Sequence, residues 1–212
     1  MNASRTRPGR PPSRSEAMGR RVFLLCCALL ATATAAADSA PAFKAGSFDP
    51  PRLAPDFALA GSDGGALTMR RYRGQVVLLA FGFTSCTEVC PVTLATLAQA
   101  RRTLGAAAAG VQVVYVTVDA ARDVPARMKS YLAGFDASFI GGSGSEPQHA
   151  AVERDYGVTA RKISLGPGPQ AYSYAHSSFI YLIDRRGRIR GLMPYGHSPD
   201  DYVHDLSILL KE

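Results

Sequence analysis

The stretch QVVLLAFGFTSCTEVCP, residues 75–91, determines how the rest of the sequence is interpreted. Its first half, 75–83, is a continuous apolar run, which predicts a central strand that is buried on both faces of a sheet. Its second half contains Cys86 and Cys90 and leads into an Ala- and Leu-rich segment, 92–109, with helical spacing. The cysteine pair is therefore expected where a strand ends and a helix begins.

Strands and helices alternate on both sides of this stretch. The sequence predicts a hairpin over 56–68, strands at 111–118, 138–140, 177–184 and 189–193, helices at 124–135, 148–156 and from Pro199 to about Lys211, and an inserted hairpin or loop over 157–175. The glycine run 141–144 has no strand-to-helix context for a phosphate loop and is interpreted as a turn. This order predicts an α/β three-layer sandwich. A reactive cysteine pair at the carboxyl end of its first central strand makes the predicted fold thioredoxin-like.

The N-terminal segment, residues 1–37, has the pattern of an export signal. Arg20-Arg21 precedes the apolar run 22–30, and small residues follow to Ala37, just before Asp38. This order predicts a cleaved secretory signal or, as the alternative, an uncleaved membrane anchor. The arginine pair fits both a twin-Arg export signal and an ordinary basic leader.

Proline and glycine over residues 38–54 predict a linker, so the folded domain is expected to span 55–212. The net charge of +7 is concentrated before this domain, because residues 1–37 hold six Arg and one Glu. No basic stripe with interleaved aromatics remains beyond them, so the sequence gives no support for nucleic-acid binding.

Cysteine usage points to local chemistry. Cys26 and Cys27 lie in the predicted signal, which leaves Cys86 and Cys90 in the exported domain, too few for a disulfide framework. A structural bridge across so short a loop would add little stability. A helix N-terminus lowers a thiol pKa, so the pair is expected to act either as redox nucleophiles or as ligands for a soft metal.

A third ligand would have to come from the four histidines. His149, His197 and His204 lie at or near helices and are interpreted as solvent-facing. His176 immediately precedes the predicted strand 177–184, at the sheet edge where such folds bring a loop against the cysteines. On its own, a lone histidine before a strand is interpreted as structural.

The chain resembles the SCO/SenC family of copper-binding proteins, which assist assembly of cytochrome c oxidase. The resemblance covers about residues 52–210 and is carried by GFTSCTEVCP (82–91) and AHSS (175–178), with support from VTVD (116–119), Arg122-Asp123 and YGV (156–158). It implies that Cys86, Cys90 and His176 bind copper, as Cu(I) or Cu(II). It also makes His176 a ligand rather than a structural residue.

Several positions depart from the family's common pattern without touching the three ligands. Ser85 stands where His is frequent, and Ala175 replaces an acidic residue; the remaining departures are Thr87 for Pro, Glu88 for Asp and Ala120 for Pro. These changes bear on the affinity for copper or on a docking contact.

Two functions follow from the resemblance and the cysteine pair. The first is a copper metallochaperone that assists assembly of the oxidase's binuclear copper centre. The second is a thiol–disulfide oxidoreductase, with Cys86 and Cys90 catalytic, that keeps client cysteines reduced. The presence of His176 favours the first function.

The expected partner is the oxidase subunit that holds the copper centre, or another copper carrier. The expected location is the periplasm, with the protein either free or tethered to the inner membrane.

Overall fold

The structure is a computed structural model that describes residues 42–212. The predicted signal or anchor at 1–37, with Cys26 and Cys27, lies outside the described residues. The described part contains ten strands: β1 (Gly46–Leu53), β2 (Leu59–Gly61), β3 (Ala66–Leu67), β4 (Val76–Gly82), β5 (Val111–Thr117), β6 (Ile140–Ser143), β7 (Ala160–Ser164), β8 (Tyr172–His176), β9 (Ile180–Ile183) and β10 (Arg188–Met193). Its α-helices are α1 (Val89–Leu104), α2 (Pro125–Ala133), α3 (Glu146–Tyr156) and α4 (Pro199–Leu209).

Eight of these strands form one sheet, in the order β1-β10-β9-β4-β5-β6-β2-β3. Strands β4, β5 and β6 run parallel to one another, whereas β9 is antiparallel to β4. Helices α1 and α4 pack against each other, and α2 packs against β6. The predicted α/β three-layer sandwich is confirmed, as is the N-terminal hairpin, formed by β2 and β3.

The central strand β4 has the environment that its sequence predicts. All seven of its residues are buried, and it lies between β9 and β5. Because β4 and β5 are parallel, their carboxyl ends at Gly82 and Thr117 lie side by side. The segments that follow these two strands therefore meet at one edge of the sheet.

Strands β7 and β8 form a separate two-stranded sheet, which is the inserted hairpin expected over 157–175. Ala160 pairs with His176 at the open end of this hairpin, and Ser164 pairs with Tyr172 near its tip. The hairpin thus ends at His176, immediately before the chain re-enters the main sheet.

Two predictions on local structure are wrong. Within the expected linker, residues 46–53 form β1, which pairs with β10 at the sheet edge. The glycine run interpreted as a turn provides Gly141 and Gly142 to β6. A Cβ atom at Gly142 would overlap the side chain of Leu67, so glycine is needed here for close packing between strands.

None of the helices in residues 42–212 has the length and apolarity needed to cross a membrane.

Candidate functional site

The first part of the site is the cysteine turn, residues 83–90, which joins β4 to α1. Cys86 is half-buried within the turn, and Cys90 is buried as the second residue of the helix. The Cys90 backbone N–H donates to Cys86 Sγ over 3.5 Å. Both thiols are unbridged. The turn therefore brings the two sulfur-bearing residues into contact between strand end and helix start, as the sequence predicts.

Cys90 lies directly against the central sheet. A Cβ atom at Gly82 would overlap Tyr115 Oη and would lie 2.8 Å from Cys90 Sγ, so only glycine leaves room for the thiol. A small cavity, of about 10 Å³, is lined by Cys90, Tyr115 and His176, among others. The thiol is thus enclosed on its sheet side and faces His176.

Burial changes the acidity of Cys90 in the direction opposite to the sequence-based expectation. Desolvation raises the pKa of the Cys90 thiol to about 12, although a hydrogen bond from Tyr115 acts to lower it. The prediction of a lowered thiol pKa is therefore wrong for Cys90. The penalty for placing a thiolate in an apolar site outweighs the favourable position near a helix N-terminus.

A buried carboxylate holds the cysteine turn in place. Asp123 is fully buried and accepts hydrogen bonds from the Thr84 backbone N–H (2.8 Å), from Thr84 Oγ1 (2.6 Å) and from Thr117 Oγ1 (2.7 Å). Arg127 donates to Thr84 Oγ1 over 2.7 Å and to Ser85 Oγ over 3.1 Å. The turn is thereby fastened to the end of β5 and to α2.

His176 provides the second part of the site. Its Nδ1 donates to the Ser177 carbonyl oxygen over 2.8 Å, and its Nε2 lies 3.5 Å from Cys90 Sγ. Burial lowers the pKa of His176, so the ring is neutral near pH 7. Because Nδ1 carries the proton, the Nε2 lone pair points at Cys90, which is the orientation of a metal-ligating imidazole.

The local context of His176 differs from the predicted one. The sequence placed it in a loop just before a strand that begins at Ser177. In the structure it is the last residue of β8, and β9 begins only at Ile180. His176 is therefore positioned by the hairpin rather than by the central sheet.

A second buried carboxylate fastens the hairpin. The Tyr172 hydroxyl donates to Asp119 Oδ1 over 2.9 Å. Arg122 forms an ion pair with Asp119, donates to the Tyr172 carbonyl oxygen over 3.1 Å and lies 3.8 Å above the Tyr172 ring. Phe83 of the cysteine turn packs edge-on against His176, with ring centroids 5.9 Å apart. The hairpin thus contacts both the end of β5 and the cysteine turn.

Sequence reasoning gave no role to Asp119, Arg122 or Asp123, although they supported the family resemblance. The available signal was their place directly after a buried parallel strand, at the edge where the cysteines also lie. Their side chains connect the two parts of the site to the sheet.

The other three histidines are occupied elsewhere. His149 is buried, which contradicts the expectation that it faces solvent, and its Nε2 accepts a hydrogen bond from the Gly144 backbone N–H over 2.9 Å. His197 and His204 are half-buried, each with Nδ1 near a carboxylate of its own segment.

Cys86, Cys90 and His176 do not yet form a closed ligand set. Across residues 42–212, no three side chains of His, Cys, Asp or Glu are arranged so that they could hold a metal ion. Cys90 and His176 meet, and Cys86 approaches the backbone of Cys90. Two thiolates and an imidazole nitrogen are suitable donors for copper, so the residue types fit.

Comparison with known proteins gives one consistent family. The family model described as SCO1/SenC matches residues 46–211. An SCO2-like protein of Rickettsia felis is 32% identical over 137 residues, which are 65% of this chain and 67% of that protein. The mitochondrial SCO2 homolog of Bos taurus is 39% identical over 136 residues, 62% of this chain and 50% of that protein.

Solved structures show the same fold. Copper-bound ScoI of Bradyrhizobium japonicum is 33% identical, with a TM-score of 0.68 over 74% of this chain and 99% of that one. Apo Sco1 of Thermus thermophilus is 34% identical, with a TM-score of 0.72 over 79% of this chain and 97% of that one. The predicted thioredoxin-like fold is therefore confirmed.

Proposed function

This chain belongs to the SCO1/SenC family, and from that premise we propose that it is a copper metallochaperone. In this proposal it binds copper through Cys86, Cys90 and His176 and assists assembly of the binuclear copper centre of cytochrome c oxidase. Copper is its cargo, which it takes up and passes on.

The observation that carries the proposal is the 3.5 Å contact between Cys90 Sγ and His176 Nε2. A thiol–disulfide exchanger has no need of an imidazole lone pair at its buried cysteine. The hydrogen bond from Nδ1 to Ser177 fixes the ring in the tautomer that a metal requires.

The three donors would serve the two oxidation states differently. The two thiolates are sufficient for Cu(I), which accepts low coordination by soft ligands. Cu(II) requires the His176 nitrogen in addition, because it prefers a tetragonal field with nitrogen donors. Burial raises the Cys90 pKa, so copper uptake must release the Cys90 proton and is favoured as the pH rises.

The half-buried Cys86 gives the site an accessible donor. A ligand of the partner can approach copper on the side of Cys86, since Cys90 is enclosed by the sheet. We expect this partner to be the oxidase subunit that holds the copper centre or another copper carrier. In the proposal the protein works in the periplasm, free or tethered to the inner membrane.

A second candidate function is thiol–disulfide exchange, favoured by the unequal burial of the two cysteines. The Cys86 thiolate would attack a client disulfide, forming a mixed disulfide and releasing one client thiol. Cys90, after losing its proton, would then displace the second client thiol and form the Cys86–Cys90 disulfide. Two electrons pass from the protein to the client, and both client cysteines end reduced.

The test is the copper content and visible absorption of the purified full chain. We expect about one copper per chain and a thiolate-to-Cu(II) charge-transfer band in the parent protein. The double variant C86S/C90S should lack both, whereas His204→Ala, a histidine paired with its neighbour Asp205, should retain both. A parent protein without copper or band that reduces a disulfide substrate catalytically would replace this proposal with the second one.

A further inference from the structure

The end of the sheet opposite the cysteine turn carries a cluster of arginines. Strand β4 runs from Val76 towards the cysteines, so the residues before it lie at the other end. The β9–β10 turn, 185–187, lies there too, because β9 is antiparallel to β4. The Gly74 backbone N–H donates to the Arg185 carbonyl oxygen over 2.9 Å, which joins the two segments.

Three arginines of this region are exposed and lack a counter-charge. Arg73, Arg185 and Arg186 form no ion pair with any residue of 42–212. A Cβ atom at Gly187 would overlap the Arg73 guanidinium, so the Arg73 side chain lies across the β9–β10 turn. Arg185 and Arg186 belong to this same turn, so all three arginines lie at one end of the sheet.

The two nearby carboxylates do not pair with these arginines. Glu212, which lines a surface pocket together with the two arginines of the turn, forms its ion pair with Arg190. Asp184 is buried, with only 3% of its surface exposed. Its oxygens accept from Arg188 Nε and from the backbone N–H groups of Arg186 and Arg188, all within 2.9 Å. Asp184 thus shapes the turn and pairs with Arg188, while the outer arginines remain available to an anionic partner.

An exposed leucine lies beside the arginines. Leu53 ends the edge strand β1, pairs with Arg188 in register and is 67% exposed. The following residue, Ala54, donates its backbone N–H to the Gly187 carbonyl oxygen over 2.9 Å. We call Leu53, Arg73, Arg185 and Arg186 the basic end. An apolar side chain among unpaired cations is the combination found on membrane-surface proteins.

We infer that the basic end binds the surface of an anionic phospholipid bilayer. The three guanidinium groups pair with headgroup phosphates, and Leu53 enters the interfacial layer. The charge sign and the exposed leucine both fit this occupant. With the basic end on the bilayer, the cysteine turn faces away from it, towards partners. This inference does not depend on copper binding.

The absence of tryptophan from the chain allows a local test in the full-length protein. Leu53→Trp places one fluorophore at the basic end, and Val92→Trp places one on α1, whose Val92 is 50% exposed and lies near the cysteines. We expect phosphatidylglycerol-containing vesicles to shift the emission of Trp in L53W to shorter wavelength. Neutral phosphatidylcholine vesicles should not shift it, and V92W should shift with neither.

Charge variants identify the groups responsible. In the L53W background, R73Q/R185Q/R186Q should raise the lipid concentration for half of the shift about 100-fold, as expected for three arginines near an anionic surface. The triple Lys variant keeps the charge and should bind like the parent, as should the control Arg154→Gln on α3. Residues 1–37 are present in every variant and contribute equally.

Three results would overturn the inference. One is an equal response of L53W and V92W, and another is a shift that survives the Gln substitutions. The third is loss of the shift in the Lys variant, which would show that the positive charge of the basic end does not by itself account for binding to an anionic bilayer.

Discussion

The cysteine turn and the histidine hairpin, residues 160–176, both contribute side chains to the site, but different parts of the structure hold them in place. The turn lies between a fully buried strand and a helix, and Asp123 holds it through three hydrogen bonds. The hairpin is a two-stranded sheet outside the main sheet, fastened largely through Tyr172 and Asp119. The cysteine turn is therefore supported by the hydrophobic core, whereas the histidine hairpin is a separate element outside the main sheet.

This difference assigns different tasks to the two parts. The cysteine turn can hold its sulfur donors in place whether or not a metal is bound, because its anchors are buried. The hairpin has an exposed tip, with Leu165 69% exposed, and presents His176 to Cys90 at 3.5 Å. We therefore expect the hairpin to be the part that adjusts when the ligand set closes.

The largest effect is expected from the cysteine turn itself. Cys86→Ser and Cys90→Ser should each abolish stoichiometric copper binding. We expect the affinity for copper to fall by a factor of about 100 or more, because only one thiolate and the imidazole remain as ligands. Copper content after dialysis measures this. Val92→Ala, at a half-exposed position of α1, is the control and should keep its copper. A cysteine variant that holds copper like the parent would place the site elsewhere.

The anchor of the turn comes next. Asp123→Ala should destabilise the protein by about 3 kcal/mol, because it leaves Thr84 and Thr117 without their buried acceptor and Arg127, whose Nε lies 3.6 Å from Asp123 Oδ1, without that counter-charge. Urea unfolding followed by circular dichroism measures the loss. Asp155→Ala, an exposed aspartate of α3, should change the free energy of unfolding by less than about 0.5 kcal/mol. Equal effects of the two would show that Asp123 is no anchor.

The histidine hairpin should matter for one oxidation state of copper. His176→Ala is expected to weaken Cu(II) binding about 100-fold while changing Cu(I) binding by less than about threefold, since two thiolates satisfy Cu(I). Competition titrations with chelators for each ion give the two affinities. Far-UV circular dichroism controls for folding. Equal losses for both ions would mean that His176 acts through the structure of the site.

The smallest effect concerns the fastening of the hairpin. Tyr172→Phe removes the hydrogen bond to Asp119 and should lower the stability of the hairpin by about 1 kcal/mol without destabilising the main sheet. Amide hydrogen exchange should accelerate in β8 while β4 stays protected. Tyr195→Phe, at a half-exposed tyrosine, should leave both strands unchanged. Faster exchange in β4 as well would show that the two regions open as one unit.

The sequence was most informative where local pattern alone determines structure. The run 75–83 could only be a buried strand, and Cys86 and Cys90 had to follow it. The glycines of β6 and the strand β1 were misassigned because glycine and proline are common in turns, whereas here pairing with neighbouring strands overrides that preference.

The features of the site that the sequence did not predict depend on contacts between residues far apart along the chain. The contact of His176 with Cys90 joins residues 86 positions apart. The predicted fold placed His176 near the cysteine turn, but only the family resemblance made it a ligand. The raised pKa of Cys90 depends on burial by Tyr115 and the sheet, which no spacing reveals. The anchoring by Asp119 and Asp123 likewise requires knowledge of which strand ends are neighbours.

The most direct test of the account is residue-resolved alkylation of Cys86 and Cys90 with and without copper. Reduced protein is treated anaerobically with one equivalent of Cu(I), exposed to a thiol reagent and mapped by mass spectrometry, so that each cysteine is scored separately. The account predicts that, without Cu(I), the half-buried Cys86 reacts quickly and the buried, protonated Cys90 only slowly, and that both are protected with Cu(I), because metal-bound thiolates are unavailable. Full reactivity of Cys86 and Cys90 in the presence of stoichiometric Cu(I) would contradict it.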